Sequence, residues 1–285
     1  MNLPRREFLK ATALSAAANL VGISSFGAES PAGIKSAGIG IILNTVDKEM
    51  KADYQKTLRR LAEIGYRHIE TGRHFGDSAS SFLSFLSSLN LNVLASGSTM
   101  GNLKKDAAKS IETAKGLKAK YLVCYWPWLT SAQNLTRTEV LEAAENCNLL
   151  GKQCNEAGLR FAVHNHDKEF KTFGDETAYD VLLHNTRPEL VTMQLDDYWA
   201  AKAGADPVQL VKKHPGRIEL IHAKDMDRTS ERGMVCVGDG TIDFQSLLIE
   251  AAKSGTRYVI VEHDRPNDGL KCAEDSFRHL NRLHF

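Results

Sequence analysis

The chain is 285 residues long, 42% hydrophobic and 25% charged, which is the composition of an ordinary globular protein. Its formal net charge of +1 and pI of about 7.7 provide no global field to gather nucleic acid or an anionic membrane. The length suits one large domain or two small ones, and an α/β barrel alone takes about 250 residues.

Residues 1–30 differ in kind from the rest. Pro4-Arg5-Arg6-Glu7-Phe8-Leu9-Lys10 precedes an alanine-rich apolar run from Ala11 to Ile23. A paired arginine, apolar residues shortly after it and a weakly hydrophobic stretch resemble a twin-arginine export signal. The alternative, an amphipathic N-terminal helix, fits poorly because the run has neither charge nor a core-facing period. At about thirteen residues it is also short for a membrane span. The expected leader is residues 1–30, with Gly27 or Ala28 as its last residue. The twin-arginine translocase is then the partner during export, the destination is the periplasm or another exported location, and the mature form has no stable membrane span. The cysteines, Cys124, Cys147, Cys154, Cys236 and Cys272, are odd in number and lack CxxC spacing. They read as buried small hydrophobes and not as a disulfide framework, with a single bridge left open.

Beyond the leader, short β-like runs alternate with longer helical ones. The strand candidates are Gly38–Leu43, His68–Glu70, Asn92–Ser96, Tyr121–Tyr125, Arg160–His164, Val191–Leu195, Ile218–His222 and Tyr258–Glu262. Between them, apolar residues recur at helical spacing, as at Tyr54, Leu58, Leu61 and Ile64. Similar series are Val140, Leu141, Ala144, Leu149 and Leu150, and then Phe244, Leu247, Leu248 and Ala251. Glycine follows several helices, as at Gly65, Gly158 and Gly255. Eight strands each followed by a helix predict a (β/α)8 barrel, a TIM barrel, as a single domain over residues 36–285. Gly38-Ile39-Gly40 lies inside a strand and lacks the third glycine of a dinucleotide fingerprint.

Four of these strands end on polar residues, in FAVHNHDKEF, VTMQLDDYW, IELIHAKD and YVIVEHD. Strand ends of a barrel converge on one mouth, so these groups belong to one site. Buried, such groups need pairing, hydrogen bonds or coordination. Asp196, His222 and Glu262 come from the later strands, and alternation allows His164 and His166 to face the same way. Two carboxylates and an imidazole, with one further ligand, suit a divalent ion such as Mn²⁺, Mg²⁺, Co²⁺ or Zn²⁺. Such an ion would polarise a sugar carbonyl and stabilise an enediolate. Each residue also has a structural reading. A lone strand-end histidine is commonly just hydrogen-bonded, Asp196 can cap a turn, and Glu262 can pair with Lys224.

These segments, with LAEIGYRHIE (Leu61 to Glu70) and VGDGTIDF (Val237 to Phe244), resemble the xylose isomerase-like barrel superfamily, in its sugar phosphate isomerase/epimerase-like branch. The resemblance runs from about Gly38 to the C-terminus. It implies one divalent metal held by Asp196, His222 and Glu262; at strand five this chain offers His164 as the ligand, with His166 and Glu169 nearby for acid–base work. Better-understood members place a glutamate there, so their two-glutamate mechanism does not transfer whole. Glu262, His164, His166, Glu169 and Lys224 are the candidate catalytic residues. Glu70, Trp126, Tyr198 and Trp199 are candidate substrate-binding residues, the aromatic ones as platforms for a sugar ring. Trp128 either lines the pocket or covers the core.

The expected activity is proton abstraction next to a metal-polarised carbonyl of a sugar or keto-sugar, giving isomerisation or epimerisation. The alternatives are a lyase or hydratase acting on a keto-sugar or keto-glycoside through the same enediolate, and a non-catalytic sugar-binding barrel. A DNA-repair role like that of endonuclease IV needs more metal ligands than this chain offers, and its near-neutral charge argues against nucleic acid. Self-association is left open.

Overall fold

A computed structural model describes residues 38–285. The leader expected over residues 1–30 lies outside the described residues. Eight parallel strands, β1 (Ile39–Ile42), β2 (His68–Glu70), β3 (Asn92–Thr99), β4 (Tyr121–Trp126), β5 (Arg160–His164), β6 (Val191–Asp196), β7 (Ile218–Ala223) and β8 (Tyr258–Val261), follow one another around a closed barrel. The barrel closes where β1 pairs with β8 through Ile39–Val259, Gly40–Ile260 and Ile41–Val261. At least one helix follows every strand, from Asp47–Ile64 after β1 to Gly269–Arg282 after β8. No described helix is long and apolar enough to cross a membrane.

The strands are buried on both faces, which is why they read as near-continuous apolar runs. Alternate residues face the barrel axis. Ile42, Leu94, Tyr121, Val123, Ala162, Leu220 and Ile260 form one apolar cluster. Continuing the same parity toward the C-terminal ends reaches Tyr125, His164, His222 and Glu262, so the alternation that fills the barrel also aims the site residues.

The helices start where the sequence supplies caps. Thr136 and Glu139 form a reciprocal capping box on helix Arg137–Glu156, and Asp206 caps Pro207–Lys213 with proline in the first turn. The first of these corrects one expectation. Leu141 and Leu149 are exposed, because the buried face runs through Val140, Ala144, Cys147, Leu150 and Cys154. Gly151 lies on that face, and a Cβ there would sit 2.6 Å from the Leu190 carbonyl, so the glycine lets the helix approach the start of β6.

Two of the cysteines depart from the expectation of buried thiols. Cys236, in the loop after β7, is disulfide-bonded to Cys272 in helix Gly269–Arg282, with Cα atoms 5.4 Å apart. Packing brings that loop onto the helix, where Val237 N–H also donates to Ser276 Oγ at 3.1 Å. Cys124, Cys147 and Cys154 remain free and buried.

The same loop is organised by Asp225, whose buried carboxylate accepts backbone N–H bonds from Met226, Gly238, Gly240, Thr241 and Ile242 at 2.8–3.1 Å. Gly240 is required by close approach: a Cβ would lie 2.2 Å from Asp225 Oδ1. Asp225→Ala strands several buried donors and is expected to cost about 3 kcal/mol or more in urea unfolding. A loss below about 1 kcal/mol would show that the loop does not depend on this carboxylate.

Candidate metal centre

β5 to β8 deliver His164, Asp196, His222 and Glu262 to the barrel mouth, where one ligand atom from each lies within 4.8 Å of the others. All four side chains are buried. His222 Nδ1 is 2.7 Å from Glu262 Oε2, and His164 Nε2 is 3.8 Å from Asp196 Oδ2. The donor set is two nitrogens and two carboxylate oxygens without a thiolate, and its carboxylates need compensating positive charge. Those properties fit a hard-to-borderline divalent ion.

Neighbouring groups hold the charge states. Burial works against ionisation of Glu262, but Lys224 and His222 outweigh it and keep its carboxyl well below the usual range. Burial pushes Asp196 up to about 7, against the pull of Lys224. His164 is held neutral by burial and by the nearby His222 and His166. Burial also opposes protonation of His222, yet Glu70 and Glu262 together raise it to about 10.

Lys224 follows β7 and is itself buried. Its Nζ lies 3.4 Å from Asp196, 3.2 Å from Glu262 and 2.7 Å from Asp264, over the faces of Tyr198 and Trp199. Burial disfavours its charge, but the three carboxylates more than offset this and raise its pKa. It is therefore a fixed cation and not a base.

Above the cluster, His166 packs 4.9 Å from the His164 ring and between Trp126 at 5.4 Å and Trp199 at 5.5 Å. Its Nδ1 is buried without a hydrogen-bond partner. Burial and then Lys224 lower its pKa, which favours the neutral ring.

Several candidates lie elsewhere than expected. Glu70 has no solvent exposure, and both of its oxygens are engaged by Tyr125, Gln194 and His222, so it does not face substrate. Tyr198 is buried with its hydroxyl donating to the Arg232 carbonyl, and it supports Trp199 from below. Trp128, for which the sequence left both places open, is buried in the core. Glu169 is buried and accepts the His166 backbone N–H at 2.8 Å, so it supports the His166 segment without reaching the mouth.

The sequence reading missed Gln194, Tyr125 and Asn165. Gln194 lies two residues before Asp196 on a buried strand, and that period places it on the same face. Tyr125 reaches Glu70 because Gly97 on β3 leaves room; a Cβ there would be 2.0 Å from the Tyr125 ring. Asn165 pins β6 from the other face, exchanging hydrogen bonds with the Asp196 backbone at 3.0 and 3.1 Å.

Fold and cluster together define a barrel enzyme of the metal-binding type. The chain belongs to the xylose isomerase-like TIM barrel family, whose model matches residues 58–283. An inosose dehydratase of Geobacillus kaustophilus (strain HTA426) is 28% identical over 251 residues, covering 74% of this chain and 80% of that protein. A sugar phosphate isomerase/epimerase from Parabacteroides distasonis ATCC 8503 superposes with a TM-score of 0.75 at 22% identity, over 92% of this chain and 98% of that one. The IOLI protein, solved with a zinc atom, superposes with a TM-score of 0.67 at 19% identity, over 86% and 95% of the two chains.

The buried Glu169 generates a pH test. Burial raises its pKa to about 7 from 4.5, so the folded state holds the proton more tightly than the unfolded chain. Its contribution to stability is full below the unfolded pKa and is lost as pH rises through about 7. Between about pH 5 and about pH 8, wild type should lose up to about 3 kcal/mol relative to Glu169→Gln in chemical unfolding. Parallel stability curves for the two proteins would show that Glu169 titrates normally.

Proposed function

We propose that the protein is a metal-dependent lyase that removes water, or another β-leaving group, from a cyclic keto-sugar or related keto-polyol. The observation that carries this reading is His166. A neutral imidazole with an unpartnered Nδ1 lies against the metal cluster, flanked by Trp126 and Trp199. The relatives named as dehydratases support elimination over the isomerisation that the sequence reading placed first.

His164, Asp196, His222 and Glu262 would hold the ion, and the zinc atom in the IOLI protein supports a metal in a barrel of this fold. When bound, the ion supplies Lewis-acid stabilisation of negative charge on the ketone oxygen. In the reaction, the neutral His166 imidazole takes the proton from the carbon beside the ketone. A carbon–carbon double bond forms, and the carbon–oxygen bond at the next carbon breaks. The departing oxygen recovers the proton from His166 and leaves as water or an alcohol, so atoms and charge balance. Lys224 contributes positive charge beside the cluster, and the indoles of Trp126 and Trp199 exclude water and present flat apolar faces to the ring.

Isomerisation or epimerisation is the second reading, favoured by the ionised Glu262 as a base and by the structural neighbours named isomerase/epimerase. Incubating metal-loaded protein with keto-cyclitols and keto-glycosides in D₂O separates the two. Elimination yields a product lighter by one water or a released aglycone, detected by mass spectrometry. Isomerisation yields unchanged composition with deuterium incorporated, and that outcome would replace the lyase. Binding with neither change would indicate a non-catalytic sugar-binding barrel. His166→Ala should lower turnover by about 100-fold or more while metal content stays at the wild-type level. Wild-type turnover in that variant would remove His166 from the reaction.

The N-terminal Arg5-Arg6 and the Cys236–Cys272 disulfide support export to an oxidising compartment. Cell fractionation should find the chain outside the cytoplasm, and Arg5→Lys with Arg6→Lys should retain it inside. Unchanged fractionation of that double variant would remove the export signal.

A further inference from the structure

The two imidazoles of the metal cluster share one buried carboxylate. Glu70, at the end of β2, accepts the Tyr125 hydroxyl on Oε1 at 2.6 Å. Its Oε2 lies 2.7 Å from Gln194 Nε2 and 3.2 Å from His222 Nε2. Gln194 then turns its other amide atom, Oε1, toward His164 Nδ1 at 3.1 Å. The Glu70 carboxylate anchors a connected set of hydrogen bonds that reaches β4, β6, β5 and β7.

Donor counting fixes the protons along this chain. An ionised carboxylate only accepts, so Gln194 presents its NH₂ to Glu70 and its carbonyl to His164. A carbonyl also only accepts, so His164 carries its hydrogen on Nδ1 and keeps the Nε2 lone pair for the cluster. The same Glu70 oxygen takes the Nε2 hydrogen of His222, and Glu262 takes one from Nδ1 at 2.7 Å, so metal-free His222 carries both hydrogens and frees Nδ1, the nitrogen facing Glu262, only when an ion replaces that proton. The nitrogens aimed into the cluster are therefore different atoms on the two rings.

We propose that Glu70 is the positioning residue of the metal centre: one carboxylate selects the metal-facing nitrogen of both imidazoles, His222 directly and His164 through Gln194. It touches neither substrate nor ion. This inference rests on reading the four-residue cluster as a metal site, but its first consequence is visible in metal-free protein.

In Glu70→Gln, the new amide can donate or accept, so Gln194 is no longer held in one orientation. NMR of ¹⁵N-histidine-labelled, metal-free wild type should show His164 as the Nδ1–H tautomer, and Glu70→Gln should lose that preference. Zinc and manganese affinity, measured by chelator competition, should fall about 10- to 100-fold in the variant. Gln194→Met provides a second test should Glu70→Gln fold poorly. It should release His164 while leaving the His222 signals as in wild type. An Nδ1–H His164 that persists in both variants, or wild-type metal affinity in a folded Glu70→Gln, would overturn the proposal. If wild type itself binds neither ion, the metal reading fails, and the tautomer comparison still decides whether Glu70, through Gln194, sets the His164 ring.

Discussion

Charge compensation at the mouth of the barrel is the constraint around which the site is built. Glu70, Asp196 and Glu262 are carboxylates withdrawn from water, and Lys224 is the buried ammonium placed among them. Isolated buried charges cost several kcal/mol each, so every one of these groups needs a partner. His222 lies between two carboxylates, Lys224 touches three, and Glu70 accepts from three side chains. His164, Asp196, His222 and Glu262 converge there as a set of donors that fits a divalent ion.

The scaffold makes this arrangement possible because it is rigid and repetitive. Alternation along parallel strands sends apolar side chains to the barrel interior and, one period further, functional groups to its mouth. Asp225 then gathers the loop after β7, and the Cys236–Cys272 bridge ties that loop to the last helix. His166 is held by aromatic rings and by its backbone bond to Glu169, in addition to packing on the His164 ring.

Much of this was legible in the sequence, for a physical reason. Strands buried on both faces announce themselves as apolar runs, and polar residues at their ends stand out; this is how His164, Asp196, His222 and Glu262 came to be grouped. The supporting residues were harder to see. Glu70 ends a strand just as Glu262 follows one, and nothing local says that its partners are Tyr125, Gln194 and His222 on other strands. Tyr198 and Trp199 are adjacent, but one lies beneath the other. The pairing of Cys236 with Cys272 depends on a loop docking on a helix, a tertiary event without a spacing signature. Reaction type was least legible, since one cluster of this kind fits both isomerisation and elimination, and the group proposed to favour elimination, His166, lies in the loop after β5.

His164, Asp196, His222 and Glu262 are proposed to hold a single divalent ion. Elemental analysis of purified wild type beside Asp196→Ala and His222→Ala, each checked for folding by circular dichroism, tests it most directly. The expected result is about one ion per chain in wild type and less than about a tenth of that in either variant. Equal metal content in the three folded proteins would contradict it.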